Sequence, residues 1–370
     1  MRPAPAFWTR PPGLLSELLL PTGAVWDAAG RLRQALARPY RPPVPVVCVG
    51  NLVAGGAGKT PVALALAAYF SSHGAAMHFV TRGYGGRLGG PVQVDPTRHD
   101  FTAVGDEALL LAACAPCWVA RDRAAGVRAA VAAGAQMVLL DDGFQNPGIA
   151  KDLSLIVVDA SYGFGNGRVI PAGPLRESLG RGLARADAVV LLEAEPQPHP
   201  PASLEIGKAL PVLHASVRPL AGERFAGERL LAFAGIGRPE KFFATLRELG
   251  AELVGSRSFP DHHPIRAGEI DQLLRAAEQA QARLITTAKD IVRVPAAMRP
   301  AMEVLQIEIR WRDPAALGEL VRPVLLSALS VDSHPPRCTR LPRPQCQREG
   351  TQPPPVSDER GSRTGSGRGW

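Results

Sequence analysis

Gly50-Asn51-Leu52-Val53-Ala54-Gly55-Gly56-Ala57-Gly58-Lys59-Thr60-Pro61 follows an apolar run at 44–49 and precedes a helical pattern over about 60–73. A strand, a glycine-rich turn and a helix in that order aim successive backbone N–H groups and the helix N-terminus at phosphate oxygens. Residues 51–61 are therefore the candidate cradle for a nucleoside triphosphate, with Lys59 reaching the β- and γ-phosphates and Thr60 ligating Mg²⁺. The strict pattern G-x-x-x-x-G-K-[ST] is not met, because position 53 is Val; Gly55–Thr60 is closer to the compact GGxGKT variant.

Outward from this loop, short apolar runs alternate with helical patterns. Runs at 77–81, 118–119, 137–140, 153–158 and 188–192 read as buried strands, with helices near 105–113 and 122–133 between them. Continuous apolar strands separated by helices predict a parallel sheet covered on both faces. A proline-rich excursion (Pro196, Pro198, Pro200, Pro201) precedes a restart of the pattern: runs at 212–217, 230–234, 252–256, 284–287 and 304–309 alternate with helices near 239–249, 266–280 and 314–329. The expected fold class is α/β, a three-layer P-loop domain with a mostly parallel sheet plus a second, smaller α/β domain. The expected boundaries are an N-terminal amphipathic region 1–41, the P-loop domain 42–211, the smaller lobe 212–330 and a tail 331–370. That tail is rich in Pro, Arg, Gly and Ser, and such a composition predicts disorder.

The formal net charge of +8 sits at the two ends. Residues 1–41 and residues 333–370 each carry a net +4, which leaves the catalytic body neutral. A nucleic-acid binder more often carries a basic stripe on its folded domain, so nucleic acid is not an expected partner. The apolar segment 14–20 is broken by Glu17 and stopped by Pro21, yet within 14–38 Leu18, Leu19, Val25, Trp26, Leu32 and Leu36 alternate with Arg31, Arg33 and Arg38. This pattern fits a helix lying on an anionic membrane surface, and equally a helix packed on the body. No stretch reaches the ~20 apolar residues that span a bilayer. Five cysteines and no secretory signal predict a reducing compartment, with Cys114-Ala-Pro-Cys117 read as packing.

Further residues carry chemistry. Asp141 and Asp142 end an apolar strand, where carboxylates beside a P-loop hold Mg²⁺ directly or through water. Asp106, in Gly105-Asp106-Glu107, opens a helix and by itself reads as a cap. Arg82-Gly83-Tyr84-Gly85-Gly86 follows a strand as a flexible, ligand-facing loop.

Together, GNLVAGGAGKTP, RGYGG, GDE, DDGFQ (141–145), FGNGRVIPAGPLRE (164–177), DHH (261–263) and TTAKD (286–290) resemble, in this order, the tetraacyldisaccharide 4′-kinase family over about residues 12–327. The resemblance implies ATP- and Mg²⁺-dependent phosphorylation of the 4′-hydroxyl of a lipid substrate, tetraacyldisaccharide 1-phosphate, in lipid A biosynthesis. It implies a peripheral enzyme on the cytoplasmic face of the bacterial inner membrane, held by its N-terminal helix, with two lobes closing over the nucleotide. It makes Asp106 the catalytic base, paired with His262. Lys59 then neutralises the transferring phosphoryl. Thr60, Asp141, Asp142 and Glu177 become metal-shell candidates, and Arg82, Tyr84, Arg121 and Arg176 substrate or phosphate candidates. One departure is Asn146, where the family often has His; Asn cannot carry a proton.

Two other readings fit parts of the chain. A GGxGKT nucleotide switch would often carry Lys where this chain has Ala54, and it has no need of the GDE and DHH motifs. A kinase for a soluble metabolite would have no use for the basic, apolar N-terminus.

Overall fold

In the computed structural model, residues 5–193 and 210–331 are described. Their strands in chain order are Val46–Gly50 (β1), Met77–Thr81 (β2), Val92–Gln93 (β3), Cys117–Val119 (β4), Met137–Asp141 (β5), Leu153–Asp159 (β6), Ala188–Glu193 (β7), Val212–Pro219 (β8), Arg229–Ala234 (β9), Glu252–Ser258 (β10), Arg283–Thr287 (β11), Glu303–Leu305 (β12) and Ile307–Trp311 (β13). The larger sheet has the order β13-β8-β7-β6-β1-β5-β2-β4-β3. It is parallel apart from the antiparallel edge pairs β13–β8 and β3–β4.

The continuous apolar strands are buried on both faces, as a parallel sheet requires. Val47 and Val49 point to one side, into a cluster with Val62, Leu66 and Phe70 of the helix Lys59–Ser72. Val46 and Cys48 point to the other, into a cluster with Val127 and Ala130 of the helix Arg123–Ala132. The three-layer α/β architecture is thus as expected. Strand β1 lies between β5 and β6, so the chain crosses over it at the central position where ligands collect beyond the carboxyl ends of parallel strands.

The smaller sheet, β10-β9-β11-β12, is also parallel. Phe242, Phe243 and Leu246 of the helix Pro239–Glu248 cover one face. Ile270, Leu273 and Ala277 of the helix Ala267–Gln279 cover the other.

The boundary 212–330 for the smaller lobe needs correction. Strand β8 pairs with β7 in the larger sheet. The run 304–309, expected as one strand, divides at Gln306: β12 joins the small sheet, and β13 pairs antiparallel with β8. The helix Pro314–Leu329 buries Leu317, Val321 and Val324 in the core of the larger lobe. Apolar periodicity identifies a strand but does not say which sheet it joins. The small lobe is therefore an insertion between β8 and β13, and its two ends meet where Leu220 N donates to Gln306 O at 2.9 Å.

The N-terminal region also differs from the single helix expected. It forms two, Leu14–Leu18 and Leu20–Ala35. Pro21, which ends the apolar run, sits in the first turn of the second helix, where a missing N–H costs nothing. Of the Cys114/Cys117 pair read as packing, Cys117 is buried in β4, whereas Cys114 is exposed and does not pack. The proline excursion and the tail lie outside the described residues.

Candidate active site

The P-loop divides into a fastened half and an open half. Leu52 O accepts from Arg176 N at 2.7 Å, and Ala54 N donates to Pro174 O at 2.8 Å. Val53 bridges Leu175, and the side chains of Leu52, Val53 and Ala57 are buried in the core. The buried Asn51 donates to Gly55 O at 3.3 Å, and its own carbonyl accepts from Gln145 Nε2 at 2.9 Å. Gly55 and Gly56 are exposed. Gly58 caps the following helix at φ 80°, a left-handed conformation that a side chain would strain. The portion left unfastened to segment 174–176 is therefore Gly55–Thr60, and the Ala54 amide is already engaged. Pro61 lies in the first helical turn, where a residue without an N–H is tolerated.

Lys59 Nζ lies 3.8 Å from Asp142 Oδ1, and Arg176 Nη1 donates to the same oxygen at 2.8 Å. Burial would raise the Asp142 carboxyl, but Lys59 and Arg176 outweigh it and hold the group below the usual range. Asp141 is different. It is fully buried, and neither of its carboxylate oxygens has a hydrogen-bond partner. Burial, then the charges of Glu107 and Asp142, push it up to about 7. A buried carboxylate with both oxygens unpaired fits a group that binds a cation directly or through water. Among the described residues no cluster of three or more His, Cys, Asp or Glu forms a metal cage. Mg²⁺ needs none, because it usually takes one or two carboxylates, waters and substrate phosphates. Asp141, with Thr60 at the start of the P-loop helix, is the donor set that fits.

Glu177 does not fit as a free metal ligand, which corrects that expectation. Its buried carboxylate accepts from Arg185 at 2.6 Å and lies 3.3 Å from Arg181 Nε, with Gln145 Nε2 donating at 3.4 Å. Two guanidinium groups have taken the charge a metal would need.

Across the crevice, Gly105 at φ 88° turns the chain where an added Cβ would meet Tyr84 O at 2.4 Å. Asp106 then stands inside the first turn of the helix Asp106–Ala112 and is not its cap. Its Oδ2 accepts from His262 Nδ1 at 2.9 Å. Lys289 Nζ, which can only donate, faces His262 Nε2 at 3.4 Å, so Nε2 is the acceptor and Nδ1 the donor. His262 is held at φ 60°, a costly backbone for a non-glycine residue that aims the ring at the other lobe. Burial alone would raise Asp106, but the His262 hydrogen bond and the charges of Lys289 and Arg293 hold it below the ordinary carboxylate range. Tyr84, half exposed, tilts its ring against His262 with centroids 5.3 Å apart.

The small lobe supplies two cations that sequence reasoning undervalued or missed. Lys289 lies 3.7 Å from Glu107 and 3.4 Å from Asp261. Arg293 is fully buried, pairs with Asp290, donates to Gly235 O at 2.7 Å and approaches Asp106 with Nε at 3.8 Å. The TTAKD motif contains Lys289, but Arg293 belongs to no motif. Arg123 was also missed: it is buried, donates to Ala120 O at 2.8 Å, and its charge faces Asp142 and Asp141. Arg82 and Arg121 follow β2 and β4 as exposed residues at the carboxyl end of the sheet.

A parallel sheet with a P-loop on its central strand, and a buried aspartate of the same lobe paired with a histidine from an inserted lobe, defines a P-loop phosphotransferase with a separate acceptor side. The comparisons narrow the class. A family model for tetraacyldisaccharide-1-P 4′-kinase matches residues 15–326. The chain belongs to the tetraacyldisaccharide 4′-kinase family. It is 56% identical over 328 residues to the tetraacyldisaccharide 4′-kinase of Rhodospirillum centenum, covering 87% of this chain and 96% of that one. The Paramagnetospirillum magneticum enzyme is 52% identical over 318 residues, covering 86% and 97%. The crystal structure of LpxK from Aquifex aeolicus in complex with ATP superposes with a TM-score of 0.68 at 23% identity, covering 84% of this chain and all of that one.

Proposed function

We infer that this chain transfers the terminal phosphoryl group of ATP to the 4′-hydroxyl of tetraacyldisaccharide 1-phosphate in lipid A biosynthesis. The observation that carries the reading is the Asp106–His262 pair, which joins the lobe that holds the P-loop to the inserted lobe. Phosphoryl transfer asks mainly for positioning and charge neutralisation. The Gly55–Thr60 amides and Lys59 would hold the nucleotide phosphates. Asp141 and Thr60 would hold Mg²⁺, which when bound neutralises phosphate charge. Asp106, kept ionised by its cationic neighbours, would accept a hydrogen bond from the sugar hydroxyl and take its proton, while His262 fixes the carboxylate's orientation. Arg176, and Arg121 and Arg82 at the sheet edge, are the candidates for the substrate's 1-phosphate.

The lipid substrate suits the N-terminal helices. Leu14, Leu18, Val25, Leu32 and Leu36 are more than half exposed, beside Arg31 and Arg33. No described helix is long and apolar enough to cross a membrane. The reading is therefore a peripheral enzyme seated on the anionic cytoplasmic face of the inner membrane.

Purified protein incubated with ATP, Mg²⁺ and tetraacyldisaccharide 1-phosphate in detergent should form the 1,4′-bisphosphate. Asp106→Ala should lower kcat by roughly 10²–10⁴, the range for general acid–base groups, and still bind ATP. Lipid-independent ATP hydrolysis with no lipid product would favour a nucleotide switch instead.

A further inference from the structure

The helix Leu20–Ala35 has its polar side inward and its apolar side outward. Val25 and Leu32 are 70% and 61% exposed. The face toward the protein carries Gly23, Asp27, Gly30 and Gln34, spaced along one seam of the helix. Gly23 is buried, and Gly30 sits beside the guanidinium of Arg181.

Along that seam the helix is fastened to the segment that flanks the P-loop. Asp27 is only 13% exposed at its side chain, and its Oδ1 accepts from Ser178 N at 2.9 Å and from Arg181 Nη2 at 2.9 Å. Arg31 approaches its other oxygen at 3.8 Å. Trp26 Nε1 donates to Arg176 O at 3.1 Å, and Arg33 donates to Gln145 O at 3.0 Å. Arg181 continues to Glu177 at 3.3 Å, and Arg176 continues to Asp142, the carboxylate beside Lys59. One side of this helix thus faces solvent with leucine and valine, while the other connects to the P-loop lysine through two sets of ion pairs, joined by the Arg176–Glu177 peptide.

We propose that Asp27 is a positioning residue for phosphoryl transfer, clamping the apolar N-terminal helix to segment 174–178 so that seating the helix on a lipid surface sets the geometry of Arg176 and Glu177. The proposal rests on the reading of that helix as lipid-facing. A partly buried carboxylate that satisfies both a backbone amide and a guanidinium fixes the relative placement of two elements more tightly than apolar contact does. The segment it holds also pairs with the P-loop backbone at Leu52, Val53 and Ala54.

The test uses the full chain. Asp27→Asn keeps an oxygen for Ser178 N but loses the charge facing Arg181; Asp27→Ala loses both. Measured in mixed micelles of tetraacyldisaccharide 1-phosphate, kcat of Asp27→Ala should fall about 10- to 100-fold, the order that misplacement of a site group costs. Asp27→Asn should fall less. KM for ATP and co-sedimentation with phosphatidylglycerol vesicles should match wild type. Wild-type kcat in Asp27→Ala overturns the proposal. So does a fall in kcat that tracks an equal loss of vesicle binding or of the melting midpoint, which would make Asp27 merely structural. Wild-type protein that turns over the lipid but does not sediment with vesicles would overturn the lipid-facing reading and the surface-coupling part of the proposal with it.

Discussion

Asp141 and Asp142 are sequence neighbours whose environments pull them apart. Asp142 turns at φ 53° toward Lys59 and Arg176 and stays ionised. Asp141 stays in the strand, buried with unpaired oxygens, and resists ionisation. Such separation of two adjacent carboxylates is how a site keeps one permanent charge and one ready for a cation. The sign of the stability effect follows. The folded-state value of Asp141 is raised from 3.8 to about 7, so ionising it opposes folding. The penalty is absent below the unfolded value, grows as pH rises, and is complete above about pH 7. Asp141→Asn removes it. In metal-free buffer at pH 8 this variant should melt a few degrees higher than wild type, at roughly 2–4 °C for each kcal/mol. The advantage should shrink as pH is lowered toward 5, while kinase activity is lost at every pH. Calorimetry across that range checks it, and a lower midpoint at pH 8 would contradict the assignment.

At the scale of elements, strand and helix order was legible because buried parallel strands are continuous apolar runs and the P-loop has a fixed place after the first of them. What escaped was partnership. The 304–309 run has no local feature to show that Val304 belongs to one sheet and Ile309 to the other. Glu177 looked like a metal ligand, because the charges that neutralise it, Arg181 and Arg185, are separated from it by a helical turn whose facing is set only by packing. Arg293 was silent for the opposite reason: a buried arginine has no periodic signature, and its meaning comes from the carboxylates of Asp290 and Asp106 around it. The N-terminal helix was ambiguous between packing and membrane contact, and its two faces do different things. Replacing Val25 and Leu32 together with Ser alters only the outward face. Each loses on the order of 1.5–3 kcal/mol of transfer free energy if it enters an apolar phase. Co-sedimentation with anionic vesicles should therefore fall at least tenfold, with ATP affinity unchanged; equal sedimentation would move the lipid contact elsewhere.

The whole molecule is one sheet with a lobe set into it rather than two domains in series. The larger sheet is completed by β13 and the helix Pro314–Leu329, both of which follow the small lobe in the chain. Pro219 and Ile307 are partners in the β8–β13 ladder, so the points where the small lobe leaves and returns are already neighbours. The small sheet has its own two-sided core, built around Phe225, Phe242 and Phe243 on one face and Phe233 and Ile270 on the other. This topology divides the candidate site between the two lobes. The P-loop, Asp141 and Asp142 belong to the larger lobe, whereas His262, Lys289 and Arg293, which hold Asp106 ionised and oriented, come with the insertion. Replacing residues 220–306 with a turn of about four residues should let β8 and β13 close as a hairpin, since loops of that length commonly join antiparallel strands. The shortened protein should melt cooperatively and still bind a non-hydrolysable ATP analogue. Transfer to the lipid should fall by at least roughly 10²–10⁴, the loss expected when an acid–base group loses its partners. If it instead kept measurable transfer near the wild-type rate, the acceptor side would have to lie within the larger lobe, and the Asp106–His262 contact would be a hinge rather than part of the chemistry.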